Sequence, residues 1–338
     1  MASRRLNPPS IANPSPLPTA ESPAEFRSHA LILPPEALGL RFDQALARAL
    51  PQYSRARVRQ WIESGAVQVE GRALRPKDKV LGGEQVRIQA RLPAQTAAAA
   101  EELPLDVIFK DRALLVINKP AGLVVHPGAG NPRHTLQNAL LAFDPRLVLV
   151  PRAGLVHRLD KDTSGVLVVA RTPEAHTALV AAMAERRIGR EYLAVCTGVM
   201  SGGGTIDQPI ARHRTQRTRM AVRAGGRESV THYRLVERFR AHTLVRVELE
   251  TGRTHQIRVH LAHAGFPIVG DPLYGGRRRI PAGCTAPLAA QLAGFSRQAL
   301  HAARLKLQHP LTGREMAFEA PLPADMLRLL GALQKDQS

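Results

Sequence analysis

Asp160 lies in the run His157-Arg158-Leu159-Asp160-Lys161-Asp162-Thr163-Ser164-Gly165, between the cations Arg158 and Lys161 and just ahead of the apolar residues 166–170. Cationic neighbours keep a carboxylate ionised at neutral pH, the state required of a nucleophile. A loop that meets a rigid strand is also where chemistry tends to be carried. Taken alone, the run reads equally well as a polar turn in which Asp160 or Asp162 caps local amides. A second enzymatic reading makes Asp160 and Asp162 the carboxylate pair of a glycoside hydrolase. Such pairs stand about 5 Å or more apart across a sugar cleft, a separation that two residues of one tight turn fit poorly. His255, His260 and His263 follow no zinc spacing and no cysteine accompanies them, so no metal is expected.

The charge balance narrows the partners. Among 338 residues, 47 Lys and Arg against 28 Asp and Glu give a net charge of +19. Such an excess favours a polyanionic partner, through counterion release and long-range steering; the plainer reading is a solvated arginine-rich surface. A hydrophobic content of 44% is that of a globular chain with room for about two domains. Two cysteines, Cys196 and Cys284, exclude a disulfide framework and a thiolate metal cluster. No membrane-spanning run and no apolar signal core are visible, so a cytoplasmic protein without a membrane partner is expected.

Residues 1–30 are rich in proline, serine and alanine and are expected to be a disordered tail. Residues 31–92 read as a small α/β unit. Ala45, Leu46, Ala49 and Leu50 mark one short helix that stops before Pro51, and Val58, Trp61 and Ile62 mark a second with Ser54 as its N-cap. Arg55, Arg57 and Arg59 are left towards solvent, and a basic hairpin bearing Arg72 and Lys77 follows. Residues 93–102 read as a linker, residues 103–328 as a second domain and residues 329–338 as a C-terminal tail. Many strands without regular β–α–β alternation indicate an α+β fold on a mixed sheet.

Together with His157-Arg158-Leu159-Asp160, the motifs Arg190-Glu191-Tyr192 and Gly252-Arg253-Thr254-His255-Gln256-Ile257-Arg258 make the chain resemble the RluA family of RNA pseudouridine synthases. Asn118-Lys119-Pro120-Ala121-Gly122, Gly270-Asp271-Pro272-Leu273-Tyr274-Gly275 and Gln298-Ala299-Leu300-His301-Ala302 fit as well. The resemblance covers roughly residues 40–325. It implies a largely antiparallel catalytic sheet preceded by an S4-like RNA-binding domain in which Arg55, Arg57, Arg59, Arg72 and Lys77 meet phosphates. It further implies that Asp160 is the nucleophile, that Arg258 pairs with it, and that Tyr192 stacks on the uracil and helps remove the C5 proton. Arg158, Ile257 and His157 would then bind the substrate, Arg158 by filling the gap left when the base leaves its stack. Detaching uracil from ribose and rejoining it through C5 involves no redox change, so no cofactor is expected. The S4-like unit and His126-Pro127-Gly128-Ala129-Gly130-Asn131 resemble the RluD branch of the family. That branch acts on large-subunit (23S) ribosomal RNA, which makes this RNA or its assembly precursor the expected partner of a monomeric enzyme.

Overall fold

The structure, a computed structural model, describes residues 25–336 except 52, 54, 93–97, 129, 217 and 278. In the N-terminal unit, Val67, Val69, Val86 and Ile88 are buried while Gln68, Arg87 and Gln89 face out, the alternation that a half-buried strand requires. The unit runs through β1 (Glu25–Ile32), α1 (Phe42–Ala49), α2 (Arg55–Glu63), β2 (Val67–Val69) and β3 (Gln85–Leu92). β3 is central and antiparallel to both neighbours. Phe42 and Leu46 of α1 and Val58, Trp61 and Ile62 of α2 fill the core between helices and strands. Ser54, the expected N-cap of α2, lies outside the described residues.

Three boundaries differ from the sequence expectation. Residues 1–24 of the expected tail lie outside the described residues, but residues 25–30 belong to β1. Pro23 is the last proline before Pro34, so the intervening amides are free to pair along the edge of β3. Of the expected linker, residues 93–97 lie outside the described residues, whereas residues 98–102 dock on the second domain. There the Asn138 side chain donates to the Ala99 carbonyl at 2.7 Å, and the Glu101 amide donates to the Asn138 carbonyl at 3.1 Å. The expected C-terminal tail is largely helix, because Met326, Leu329, Leu330 and Leu333 recur at helical spacing and are buried.

The second domain continues with β4 (Val107–Lys110), β5 (Leu114–Lys119), α3 (Leu136–Phe143), β6 (Ser164–Ala170), α4 (Pro173–Ala184) and β7 (Gly189–Thr197). Next come β8 (Gly204–Asp207), β9 (Ile210–Arg212), β10 (Met220–Val222), β11 (Val230–Arg238), β12 (His242–Leu249) and α5 (Gln256–His263). The chain closes through α6 (Ala286–Gly294), β13 (Leu300–Gln308), β14 (Glu315–Glu319) and α7 (Ala324–Lys335). Nine strands form one sheet in the order β4-β5-β6-β13-β7-β12-β11-β8, with β14 on β13. All its pairings are antiparallel except β6 with β13. β6 is buried at all seven positions, consistent with the apolar run of residues 166–170. The two domains touch: Leu149 enters the core of the N-terminal unit, and the Tyr53 hydroxyl donates to Glu174 at 3.3 Å. No helix among the described residues is long and apolar enough to cross a membrane.

Candidate active site

The parallel pairing of β6 with β13 leaves the start of β6 at the mouth of a cavity of about 490 Å³. His157, Arg158, Asp160, Tyr192, Ile257 and Arg258, all singled out from the sequence, line this one cavity. Arg258 Nη1 donates to Asp160 Oδ2 at 2.9 Å across 98 residues of chain. Arg258 also forms a two-point pair with Asp271, Nε to Oδ2 at 2.7 Å and Nη2 to Oδ1 at 2.9 Å. Side-chain exposure falls from 16% at Asp160 to 4% at Arg258 and none at Asp271, so the pair with Asp271 is the buried anchor. Asp160 Oδ1 makes no hydrogen bond to the described residues, and His255 Nε2 lies 3.9 Å from it. The guanidinium thus fixes one carboxylate oxygen and leaves the other open towards the cavity, an arrangement suited to nucleophilic attack.

Burial alone would raise the Asp271 pKa, but the Arg258 hydrogen bonds and charge, with the amides of Leu273 and Tyr274, hold it below the usual carboxylate range. For Arg258 burial works downwards and is outweighed by Asp271 and Asp160, which raise its pKa. The guanidinium therefore keeps its charge under any working condition. His255 starts α5 in a left-handed conformation, with Nδ1 2.9 Å from the Tyr274 hydroxyl. That hydroxyl accepts from the Met220 amide at 2.8 Å, which assigns its proton to His255 Nδ1 and leaves Nε2–H facing Asp160. The turn before α5 is tied down by Gln256, which accepts from Thr251 Oγ1 and the Arg253 amide and donates to the Val230 carbonyl and Thr231 Oγ1. His260 is satisfied by Thr231 and Gln208, and no group of three potential metal ligands occurs among the described residues.

The Asp160 loop is pinned from both sides. Lys119 Nζ, fully buried, donates to the carbonyls of Pro120, Leu123 and Lys161 at 2.7–2.9 Å. Burial pushes its pKa down to about 7, while Asp162 and Asp160 oppose the shift. From the other side, Arg297 Nη1 donates to the Asp162 carbonyl and Gln298 Nε2 to Thr163 Oγ1. Gly165 has φ +118°, and a β-carbon there would lie 2.1 Å from the Ala302 carbonyl oxygen, so only glycine permits this approach of β6 to β13. Sequence reasoning quoted the motifs containing Lys119, Asp271 and Gln298 without giving these residues a role. It weighed His255 only as a metal ligand.

His157 belongs to the wall rather than to the proton chemistry. Its Nε2 accepts from the Val168 amide at 3.1 Å, and burial, with Arg190, pushes its pKa down to about 3. Tyr192 is buried on β7; burial raises its pKa, Arg190 lowers it and Asp160 raises it again. Arg158 is exposed at the rim. The basic residues expected on the N-terminal unit lie outside this cavity and are not equivalent. Arg55 is tied to Asp43 at 2.7 Å and Arg59 to Glu63 at 2.7 Å. Arg57 is half-buried rather than free in solvent, because α2 turns it towards the core that holds Tyr53, and burial lowers its pKa. Arg72 and Lys77 are exposed and have no acidic partner among the described residues.

Comparison with known proteins agrees with this geometry. The family described as RNA pseudouridylate synthase matches residues 113–263, and the S4 domain matches residues 40–86. The chain is 54% identical over 319 residues to a protein of Xanthomonas campestris pv. campestris named ribosomal large subunit pseudouridine synthase D, covering 94% of this chain and 96% of that one. The protein of the same name from Escherichia coli strain K12 is 53% identical over 300 residues, 88% of this chain and 92% of that one. The solved structure of human RNA pseudouridylate synthase domain containing 4 superposes with a TM-score of 0.54 at 27% identity, covering 68% of this chain and 93% of that one. The chain belongs to the RluA family of RNA pseudouridine synthases, with an S4 domain ahead of the catalytic domain.

Proposed function

We propose that the protein isomerises uridine to pseudouridine in ribosomal RNA of the large subunit, with Asp160 as nucleophile. The observation that carries the assignment is Asp160 held through one oxygen by Arg258, itself anchored on Asp271, in a cavity that also contains Tyr192. The names of the bacterial relatives support the large ribosomal subunit as the source of the RNA. In this reading Tyr192 and Ile257 hold the flipped base and Tyr192 helps remove the C5 proton. Arg158, exposed at the rim, occupies the place the base vacates, and His157 supports the wall behind it. The enzyme acts as a cytoplasmic monomer on the RNA or its assembly precursor, and needs no cofactor because the isomerisation is redox-neutral.

The test is tritium release from large-subunit RNA carrying 5-tritiated uridine, since bond formation at C5 expels that hydrogen. Wild-type protein is expected to release tritium and Asp160→Asn to release none while still binding RNA. Near-wild-type turnover by Asp160→Asn would remove Asp160 from the nucleophile role.

The S4 domain supplies phosphate contacts that orient the RNA without reading bases. Because acidic neighbours already neutralise Arg55 and Arg59, most of the salt dependence is assigned to Arg72 and Lys77. Substituting both by alanine should lower the slope of log binding constant against log salt by about 2, and substituting Arg55 and Arg59 by less. An unchanged slope in the Arg72 and Lys77 variant would count against the S4 surface as the phosphate contact.

A further inference from the structure

Six arginines line the catalytic cavity: Arg152, Arg158, Arg186, Arg190, Arg253 and Arg258. Of these only Arg190 and Arg258 are buried. Arg258 is held by two carboxylates; Arg190, 8% exposed, has none among the described residues. Its Nε is enclosed without a hydrogen-bond partner, and Nη2 reaches only the Leu249 carbonyl at 3.5 Å. A buried guanidinium without an anion is strongly unfavourable unless function supplies the missing charge. The space it occupies is made by Gly252, where a β-carbon would come within 2.6 Å of Arg190 Nη1.

The position of Arg190 identifies the anion. Arg190 and Tyr192 are two residues apart on β7, so their side chains leave the same face of the strand. Tyr192 is 6% exposed, as deep as Arg190, whereas Arg152 and Arg158 are exposed at the rim where an RNA backbone would pass. A group that reaches Arg190 is therefore the base, not a phosphate. Uracil becomes anionic during the isomerisation by either route open to Asp160. Attack of the carboxylate on C6 forms a C6–O bond and pushes the C5–C6 electron pair towards O4 as an enolate, and C1′–N1 then breaks with its electron pair left on N1. Attack on C1′ forms a C1′–O bond and breaks C1′–N1, whose electron pair leaves with the base and spreads over N1, O2 and O4. In both, C5 then bonds to C1′, the bond from Asp160 breaks with its electrons returning to the carboxylate, the C5 hydrogen departs as a proton and N1 takes one up.

We propose that Arg190 is a catalytic residue that donates to a uracil carbonyl oxygen as negative charge develops on the detached base. The proposal rests on the assignment of the cavity as the uridine site. Its unpaired cation is preorganised for a charge that exists only after the substrate has begun to react.

The test uses the full-length protein and 5-tritiated large-subunit RNA in single-turnover reactions with enzyme in excess. Arg190→Met is expected to slow tritium release by about 10²–10³-fold, the usual effect of removing one oxyanion donor, with RNA affinity and salt slope within about twofold of wild type. In Arg190→Ala, which leaves the space empty, dissolved ethylguanidinium should restore part of the rate, a rescue that a purely structural arginine would not show. Gly252→Ala keeps the arginine but displaces its Nη1, and should slow the reaction by about tenfold or more. Should Arg190→Met fail to fold, Arg190→Gln and Gly252→Ala carry the same readouts. An unchanged rate, or a loss confined to RNA affinity, overturns the proposal. If Asp160→Asn is inactive while Arg190→Met turns over normally, the nucleophile stands and Arg190 falls; if wild-type protein releases nothing, the uridine site itself falls.

Discussion

Asp271→Asn tests the reasoning about the site most severely, because it exchanges one carboxylate oxygen that no substrate is proposed to touch. Asp271 Oδ1 accepts from Arg258 Nη2 and from the amides of Leu273 and Tyr274, and Oδ2 accepts from Arg258 Nε. An asparagine oxygen facing the three donors on the Oδ1 side would turn its NH2 against the Arg258 Nε–H. The variant then loses one hydrogen bond, gains a donor–donor contact and leaves a buried guanidinium short of a full counter-charge. Breaking a buried ion pair in this way costs about 3–5 kcal/mol, and the retained Asp160 contact puts the expected loss near 3 kcal/mol. Arg258 would also be drawn further onto Asp160, engaging the oxygen that is open in the wild type, so single-turnover tritium release should fall by about 10²-fold. Urea unfolding followed by circular dichroism measures the first effect, read as a lower midpoint at unchanged slope. A loss below about 1 kcal/mol together with a wild-type rate would refute Asp271 as the anchor of the pair.

Lys119→Met should loosen the Asp160 loop, removing the Nζ donor from three carbonyls, of which that of Lys161 keeps only the Gly122 amide at 2.9 Å. The expected result is a destabilisation of about 2–4 kcal/mol with a reduced turnover rate, checked by urea unfolding and tritium release. His157 protonates only near pH 3 in the folded state but near 6.5 when free, so between these values the unfolded chain binds more protons. Its contribution to stability is full above the unfolded pKa and is lost as pH falls through that window, by up to about 1.4 kcal/mol per pH unit. His157→Gln should flatten that part of the stability profile in thermal unfolding between pH 6.5 and 3, and an identical slope in both proteins would contradict it.

The parts of the site that were legible in the sequence are those whose chemistry is written locally. Asp160 stands among cations ahead of an apolar strand, and Arg258 and Tyr192 sit in dense motifs; the structure brings all three to one cavity. Asp271 and Lys119 were not legible as site residues, because each acts through an atom that only tertiary structure brings near. Lys119 meets the Lys161 carbonyl across 42 residues, and Arg297 and Gln298 meet the Asp160 loop across 135. No hydrophobic period reports such a contact. The misplaced boundaries have a related origin: β1 carries its information in backbone pairing to β3, and the apolar positions of α7 straddle the boundary expected at residue 328.

One sequence feature does encode the tertiary arrangement, although it reads as a turn signal. Gly165 is the last residue of the run that holds Asp160, and its missing β-carbon is what lets β6 lie parallel to β13 with the Ala302 carbonyl in the vacated space. Antiparallel neighbours alone would have left the Asp160 loop supported from β5 only. The parallel pairing adds Arg297 and Gln298 on the other side, and it places β7, with Arg190 and Tyr192, directly beyond β13. Asp160 and the two residues of β7 are therefore held at fixed separation by one strand, β13, that contributes only Leu300 to the cavity wall. The rigidity of the site thus resides in sheet order, and a one-residue shift of β13 would move both walls of the cavity together.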